Sequence, residues 1–405
     1  MEDALVIGSG PAGLACAAEL RRCGVRASVL ERGARTGAAW AGRYDALRFN
    51  TCRWNSALPG APFPRRFGWF PSRDQYVGYL QDYADRRHVP VRHDTAVSHL
   101  DPVPSGGWTL ATNRGPLAAR HVVVATGVFH TPVVPAWQGR DKFRHNIIHA
   151  AHYRDSDPFV GQRVLVVGAG STGMEIAYQL ARGGASRVML AARTPPNILL
   201  RVVGGLPGDL PLPLFLRLPS AMVDRMLMAL QGSVIGDLSA HGLRRPVEGP
   251  LAGLKRRGAG TAIVDREVVD AIRDGSIRVV AAVDRLARDG AVLADGTEVT
   301  ADSVIAATGY RTGLPELVGH LGVLDDRGMP RDGQGAEVLP GLRFVGFVFR
   351  PGLPRFVGHC ARRVAREVAA QPVTGRRAAA ARRVPWTTAP PVPDDCSPPA
   401  SRRPT

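Results

Sequence analysis

Short apolar runs that end in glycine, each followed by a segment of helical period, recur along this chain. ALVIG (4–8) is one such run. It enters GSGPAG, and LACAAELRRCG then places apolar residues at helical spacing, with Gly24 as its stop. VRASVLE reads as a second strand ending in Glu31. The stretch RVLVVGAGSTGMEIAYQLARGGASRVMLAAR (163–193) repeats the sequence of strand, glycine turn, helix and strand. Two more apolar strands run into one shared tripeptide: Ala125, Thr126 and Gly127 after HVVV, and Ala307, Thr308 and Gly309, then Tyr310, after SVIA. Residues 277–305 alternate and carry Asp-Gly turns at 289–290 and 295–296, the pattern of short antiparallel strands leading back into the first domain.

These elements predict an α/β fold of two Rossmann-like dinucleotide-binding domains, the second inserted into the first. In the first turn Gly8 allows the tight bend and Gly10 lets the backbone approach a pyrophosphate. Gly13 lets helix and strand pack closely, and the helix N-terminus opened by Pro11 and Ala12 faces the phosphate charge. Glu31, with Arg32 behind it, stands where an acid holds ribose hydroxyls. In the second turn Gly168, Gly170, Ser171, Thr172 and Gly173 take the same places. The second strand there ends not in an acid but in Arg193, which suits a 2′-phosphate and favours NADP over NAD. The competing reading of Arg193 is a solvated strand end. Two nucleotide sites in one chain imply a flavin and the nicotinamide that reduces it, hence FAD and NADPH. The expected boundaries are 1–154 and 304–370 for the FAD-binding domain, 155–303 for the NADPH-binding domain, and 371–405 for a disordered Pro- and Arg-rich tail.

Composition changes this picture little. A chain of 405 residues is too long for one ordinary core and suits two domains plus a tail. The formal charge of +17 would fit a nucleic-acid or acidic partner, but the arginines are dispersed and no basic run with interleaved aromatics occurs, so no nucleic-acid partner is expected. Five cysteines form no CxxC pair, which points to a reducing compartment, and the acidic start MEDALVIGSG lacks the charge of a secretion signal; a cytoplasmic location is expected. The apolar stretch near 210–235 is broken by Arg217, Asp224 and Arg225 and makes a poor membrane span.

FRHNIIHAAHY (143–153) sets His145, His149 and His152 at helical spacing, which suggests a metal site. No carboxylate or thiolate accompanies them, and no metal is expected. The segment lies between the first Ala-Thr-Gly strand and the second glycine turn, and here the chain resembles the flavin-containing monooxygenases. Their connector signature F-x-G-x-x-x-H-x-x-x-[F/Y] is matched by Phe143, His149 and Tyr153, with His145 in place of the glycine. On that resemblance His149 orders the interdomain linker. GAAWAGRYD, with Trp40, is similar to the family's flavin-adjacent stretch. Asn50, twelve residues before Pro-Phe-Pro, matches an asparagine that lies beside flavin and nicotinamide; Asn55 is its competitor, and a plain turn residue the alternative. GDLSAHGLRRPVEGPL (236–251) resembles an element of the plant YUCCA branch, which converts indole-3-pyruvate to indole-3-acetate.

The resemblance implies that NADPH reduces FAD, that the reduced flavin adds oxygen at C4a, and that the resulting peroxide passes one oxygen atom to a small organic substrate. A deprotonated peroxide suits a 2-oxo acid or other carbonyl compound; a hydroperoxide suits an amine or sulfide. Asn50 is the candidate that supports this step by hydrogen bonding. GGLPGDLPLPLFLRLP (204–219) is either a cap over a hydrophobic substrate or surface packing. The rival is an FAD-dependent NADPH reductase that passes electrons to an acidic protein or small acceptor, with Cys16 and Cys23 too far apart for a redox CxxC. Oligomeric state is open.

Overall fold

The computed structural model describes residues 2–258 and 261–371. Two sheets organise it, the first mixed around a parallel centre and the second parallel. In the first, β1 (Glu2–Ile7) is central, flanked by β2 (Ala27–Leu30) on one side and strand Leu117–Val124 on the other. Strands Val91–Arg92 and Leu342–Val345 extend it in parallel, and Gln334–Leu339 closes that edge antiparallel. β2 is buried along its whole length, as a strand covered on both faces must be. Helix α1 (Pro11–Arg22) connects β1 to β2 and packs against helix Leu353–Ala370. Small residues make that contact close: Ala15, Cys16 and Ala18 share one core with Cys360, Ala361 and Ala365.

The second sheet has the order 277–280, 187–191, 163–167, 303–306, 146–149, parallel throughout. Its strands lie, in sequence, between those of the first sheet. Strand membership departs from the sequence expectation in three segments, 146–149, 277–280 and 303–306. Asn146–His149 and Ser303–Ala306 both belong to the second sheet, so it begins before residue 155 and the chain rejoins the first sheet only at Gln334–Leu339. Ile277–Val280 is a parallel strand of the second sheet and not part of the antiparallel meander, which is confined to 283–287, 290–293 and 298–300. FRHNIIHAAHY, expected as a connector, contributes a strand: Asn-Ile-Ile-His is rich in β-branched residues and pairs with 303–306. The expected tail lies, from residue 372, outside the described residues.

The chain passes between the sheets twice, and the two passages are laced together. Thr131–Pro132, after the first Ala-Thr-Gly, pairs antiparallel with Tyr310–Arg311, after the second. Thr308 Oγ1 donates to the Val133 carbonyl, adding a side-chain tie.

Candidate functional site

The two glycine turns are built alike. Gly8 has φ +104, and a Cβ there would stand 2.8 Å from the Ala125 carbonyl oxygen; Gly168 has φ +116, with the Ala307 oxygen at 2.5 Å. Both conformations and both approaches exclude a side chain. A Cβ on Gly13 would lie 1.8 Å from the Gly8 oxygen, and one on Gly173 would lie 1.8 Å from the Gly168 oxygen. The alanine of each Ala-Thr-Gly is therefore the neighbour of each glycine turn, because strands 117–124 and 303–306 run beside β1 and 163–167. Gly127 and Gly309, at φ +80 and +85, turn the chain away.

Gly10 and Gly170 differ from the glycines that surround them: a Cβ on either meets nothing within 4 Å. Each is the N-cap of a twelve-residue helix, α1 and Ser171–Arg182, with no side chain capping it. Free N–H groups and the positive helix end thus face open space at both turns, the requirement for a pyrophosphate. Pro11 occupies the first helical turn, and Ala12 is buried beside Gly346. In the second turn Ser171 Oγ accepts from the Ile263 N–H at 2.8 Å, fixing the turn to strand 261–264, and Thr172 is half-buried.

Glu31 is buried, and its carboxylate braces the first turn. One oxygen accepts from the Ser9 N–H (2.9 Å) and hydroxyl, the other from the Gly33 N–H at 2.8 Å. A carboxylate can accept about four hydrogen bonds, so capacity for a ribose hydroxyl remains. Arg32 is exposed and lies 2.8 Å from His130 Nε2. Arg193 is exposed and makes no ion pair among the described residues, leaving a free guanidinium at the end of strand 187–191. The Thr126 hydroxyl is buried without a hydrogen-bond partner among the described residues.

Several expected residues serve packing. Trp40 is half-buried; it stacks on Phe49 (5.2 Å between ring centroids), meets Tyr76 edge-on and packs against the core shared with α1. Phe143 and Tyr153 are buried in the cores of the second sheet. His149 is buried; its Nδ1 accepts from the Ala151 N–H, so Nε2–H donates to the Gly309 carbonyl, both at 3.0 Å. Burial holds its pKa below the usual histidine value. Tyr310 crosses it edge-on at 4.9 Å and accepts a hydrogen bond from Arg43, whose guanidinium covers the ring. His145 turns instead toward Asp289, and His152 is exposed, so the three histidines do not converge.

Asn50 and Asn55 part company here. Asn55 is buried, and its Nδ2 donates to the Asp209 carbonyl (3.0 Å) and Oδ2 (2.8 Å), tying the first-sheet segment to the apolar stretch 204–219. Asn50 is half-buried and faces Arg201, whose Nη2 donates to its Oδ1 at 3.2 Å. Arg201 is 3% exposed and pairs with both Glu175 and Asp265; Tyr44 donates to the other Glu175 oxygen. Burial pushes the Glu175 carboxyl up, against the pull of Arg201. Burial alone would make Arg201 less basic, but its two carboxylates outweigh that and raise it.

Arg201, Glu175, Tyr44 and Asp209 had no part in the sequence reading. A signal existed for two of them: Glu175 interrupts the buried run Gly173 to Ala177, and Arg201 follows the strand Asn197–Leu200. A charge in an apolar run needs a partner.

Over 86% of its length this chain is 36% identical to indole-3-pyruvate monooxygenase YUCCA1 of Oryza sativa subsp. japonica, covering 87% of that protein. The chain belongs to the flavin-containing monooxygenases. Within that family it lies on the YUCCA-like branch, and it is an oxidoreductase of the monooxygenase class. The probable indole-3-pyruvate monooxygenase YUCCA4 of Arabidopsis thaliana is 34% identical over 85% of each chain. A flavin-containing monooxygenase from Stenotrophomonas maltophilia superposes with a TM-score of 0.69 at 25% identity, over 91% of this chain and 99% of that one. Residues 5–198 also match the pyridine nucleotide-disulphide oxidoreductase family. In this YUCCA-like monooxygenase the stretch 236–251 forms a capped helix start. Asp224 accepts from the Leu251 and Ala252 N–H groups, and a Cβ on Gly249 would strike the Asp224 carboxyl carbon at 2.3 Å. No helix among the described residues is long and apolar enough to cross a membrane.

Proposed function

We propose that this enzyme uses FAD and NADPH to insert one atom of molecular oxygen into a 2-oxo acid carrying a hydrophobic group, releasing carbon dioxide. The observation that carries the reading is the pair of matched glycine turns, each opening a helix N-terminus onto free space. FAD is assigned to the first sheet, with its pyrophosphate at Gly10 and its ribose at Glu31. NADPH is assigned to the second, with its pyrophosphate at Gly170 and its 2′-phosphate on Arg193, which makes no ion pair among the described residues. The FAD-binding domain then comprises the first-sheet segments to 124 and from 334 to 370, and the NADPH-binding domain 146–306.

The flavin, when bound and reduced, supplies the electrons that activate oxygen. The chain's contribution is position and dryness. Backbone N–H groups at Gly10 and Gly170 would hold the two phosphates, and Asn50, in the connection between strands Ala27–Leu30 and Val91–Arg92 and facing Arg201, would donate a hydrogen bond at the reacting edge. Stretch 204–219 is anchored beside that connection through Asp209 to Asn55, with Leu212 buried near Gly352. The substrate class follows from the relatives' activity on indole-3-pyruvate. The balance is closed: a 2-oxo acid, oxygen, NADPH and a proton give the shortened carboxylic acid, carbon dioxide, water and NADP+. The bond between the carbonyl carbon and the carboxylate breaks, and one oxygen atom enters at the carbonyl carbon.

The test is to supply holoenzyme with NADPH, oxygen and a series of aryl 2-oxo acids, ketones, amines and sulfides, measuring NADPH consumed, carbon dioxide, organic product and hydrogen peroxide. Carbon dioxide equal to NADPH consumed is expected with the 2-oxo acids. Oxygenation of an amine or sulfide, with only peroxide from every 2-oxo acid, would overturn the substrate class. Failure of NADPH to reduce the flavin would overturn the whole reading.

A further inference from the structure

We propose that Arg201 is a positioning residue that decides which end of the Asn50 carboxamide faces the flavin site. The inference rests on the reading of Asn50 given above. A carboxamide presents an acceptor oxygen at one end and a two-hydrogen donor at the other, with nearly the same shape. A guanidinium has donors only. Because the Arg201 Nη2 lies 3.2 Å from Asn50 Oδ1, the Asn50 NH2 group is turned away from Arg201. Asn50 is thereby set as a donor toward whatever lies on its far side.

The guanidinium itself is held from several directions. Glu175, from the helix that opens at Gly170, takes Nη2; Asp265, the N-cap of helix Arg266–Arg273, takes Nη1; and the Phe70 ring lies 5.9 Å from the guanidinium carbon. Tyr44 in turn holds Glu175. Tyr44, Asn50 and Phe70 come from the first-sheet half of the chain, Glu175, Arg201 and Asp265 from the second. Desolvating such a group of charges is a poor route to stability, since an apolar replacement does as well or better. An array that fixes one amide from two sheets is accounted for by geometry. Glu175 also stands five residues after Gly170 on the same helix, so the cradle assigned to NADPH and the Asn50 amide share one rigid element.

The experiment compares holoenzyme with its Asn50→Ala, Asn50→Asp and Arg201→Lys variants and the Asn50→Ala/Arg201→Lys pair. Three quantities are read: FAD content, the rate of flavin reduction by NADPH, and the share of NADPH electrons released as hydrogen peroxide. Lysine keeps the charge but cannot reach three acceptors in one plane. Arg201→Lys is expected to keep FAD and reduction within about twofold while raising the peroxide share about fivefold, with the double variant no worse than Asn50→Ala alone. Asn50→Asp keeps the acceptor for Arg201 and removes the donor, so it should release as much peroxide as Asn50→Ala. Normal coupling in Arg201→Lys beside a leaky Asn50→Ala would overturn the role of Arg201 and leave that of Asn50 standing. Additive losses in the double variant, or normal coupling in Asn50→Asp, would also overturn it; the aspartate result holds even where Arg201→Lys loses its flavin. Normal coupling in Asn50→Ala would remove the Asn50 reading itself.

Discussion

Gly173→Ala should separate the two nucleotide sites. Its new methyl carbon would stand 1.8 Å from the Gly168 oxygen and 3.2 Å from the Ala307 Cβ. A carbon normally keeps about 3.3 Å from a carbonyl oxygen even in a close contact. Helix Ser171–Arg182 must therefore retreat by about 1.5 Å, taking the N–H groups at its first turn with it. A misplacement of about 1 Å in a positioning group costs on the order of 100-fold in rate, equivalent to about 2.7 kcal/mol. We expect that loss, or more, in the second-order rate constant for flavin reduction by NADPH. The assay is anaerobic stopped-flow mixing across a range of NADPH concentrations, with FAD content measured from absorbance. FAD should remain bound, because its cradle belongs to the other sheet. The counterpart Gly13→Ala makes the same 1.8 Å clash with the Gly8 oxygen and should lose FAD instead. A second-order rate constant for reduction of Gly173→Ala within about threefold of the parent would refute the reasoning, since the clash predicts far more. So would equal loss of FAD from both variants.

Arg193→Ala should raise the KM for NADPH at least about tenfold and leave that for NADH nearly unchanged, as expected for loss of a charge-assisted phosphate contact. Equal changes would return Arg193 to a solvated strand end. Asn55→Ala strips two hydrogen bonds from Asp209 and should cost about 1–3 kcal/mol in urea unfolding; an unchanged midpoint would show that the tie to stretch 204–219 is not made. Acidification should destabilise the protein through His149. Burial depresses its pKa in the folded chain, so between about pH 6.5 and that lower value the unfolded chain binds the proton and stability falls as pH falls. His149→Gln should flatten that part of the urea-midpoint profile, and an unaltered slope would show that other groups carry it.

What could be read in the sequence was local. A strand, a glycine turn and a helix fit within about 25 residues, so both strand–turn–helix units were legible. Sheet membership was not. SVIA and HVVV are equally apolar, and nothing within either states which neighbour it will pair with; that is decided by β1 in one case and by strand 163–167 in the other. The histidine segment was legible as a connector, but not that Ile147 and Ile148 make part of it a strand of the second sheet, because its partner strand lies more than 150 residues away. The charge array around Asn50 was beyond local reading, since Arg201 lies 151 positions from Asn50.

The ribbon that joins Thr131–Pro132 to Tyr310–Arg311 bears on how the two halves of the enzyme can move. A single tether lets one body swivel freely about another. Two antiparallel tethers, bonded to each other and clamped by Thr308 on Val133 and by His149 on Gly309, must bend as one strip. Such a strip is soft to flexing across its face and stiff to torsion along its length. Any relative movement of the two halves would then have to bend this ribbon as a unit and could not turn about a single link.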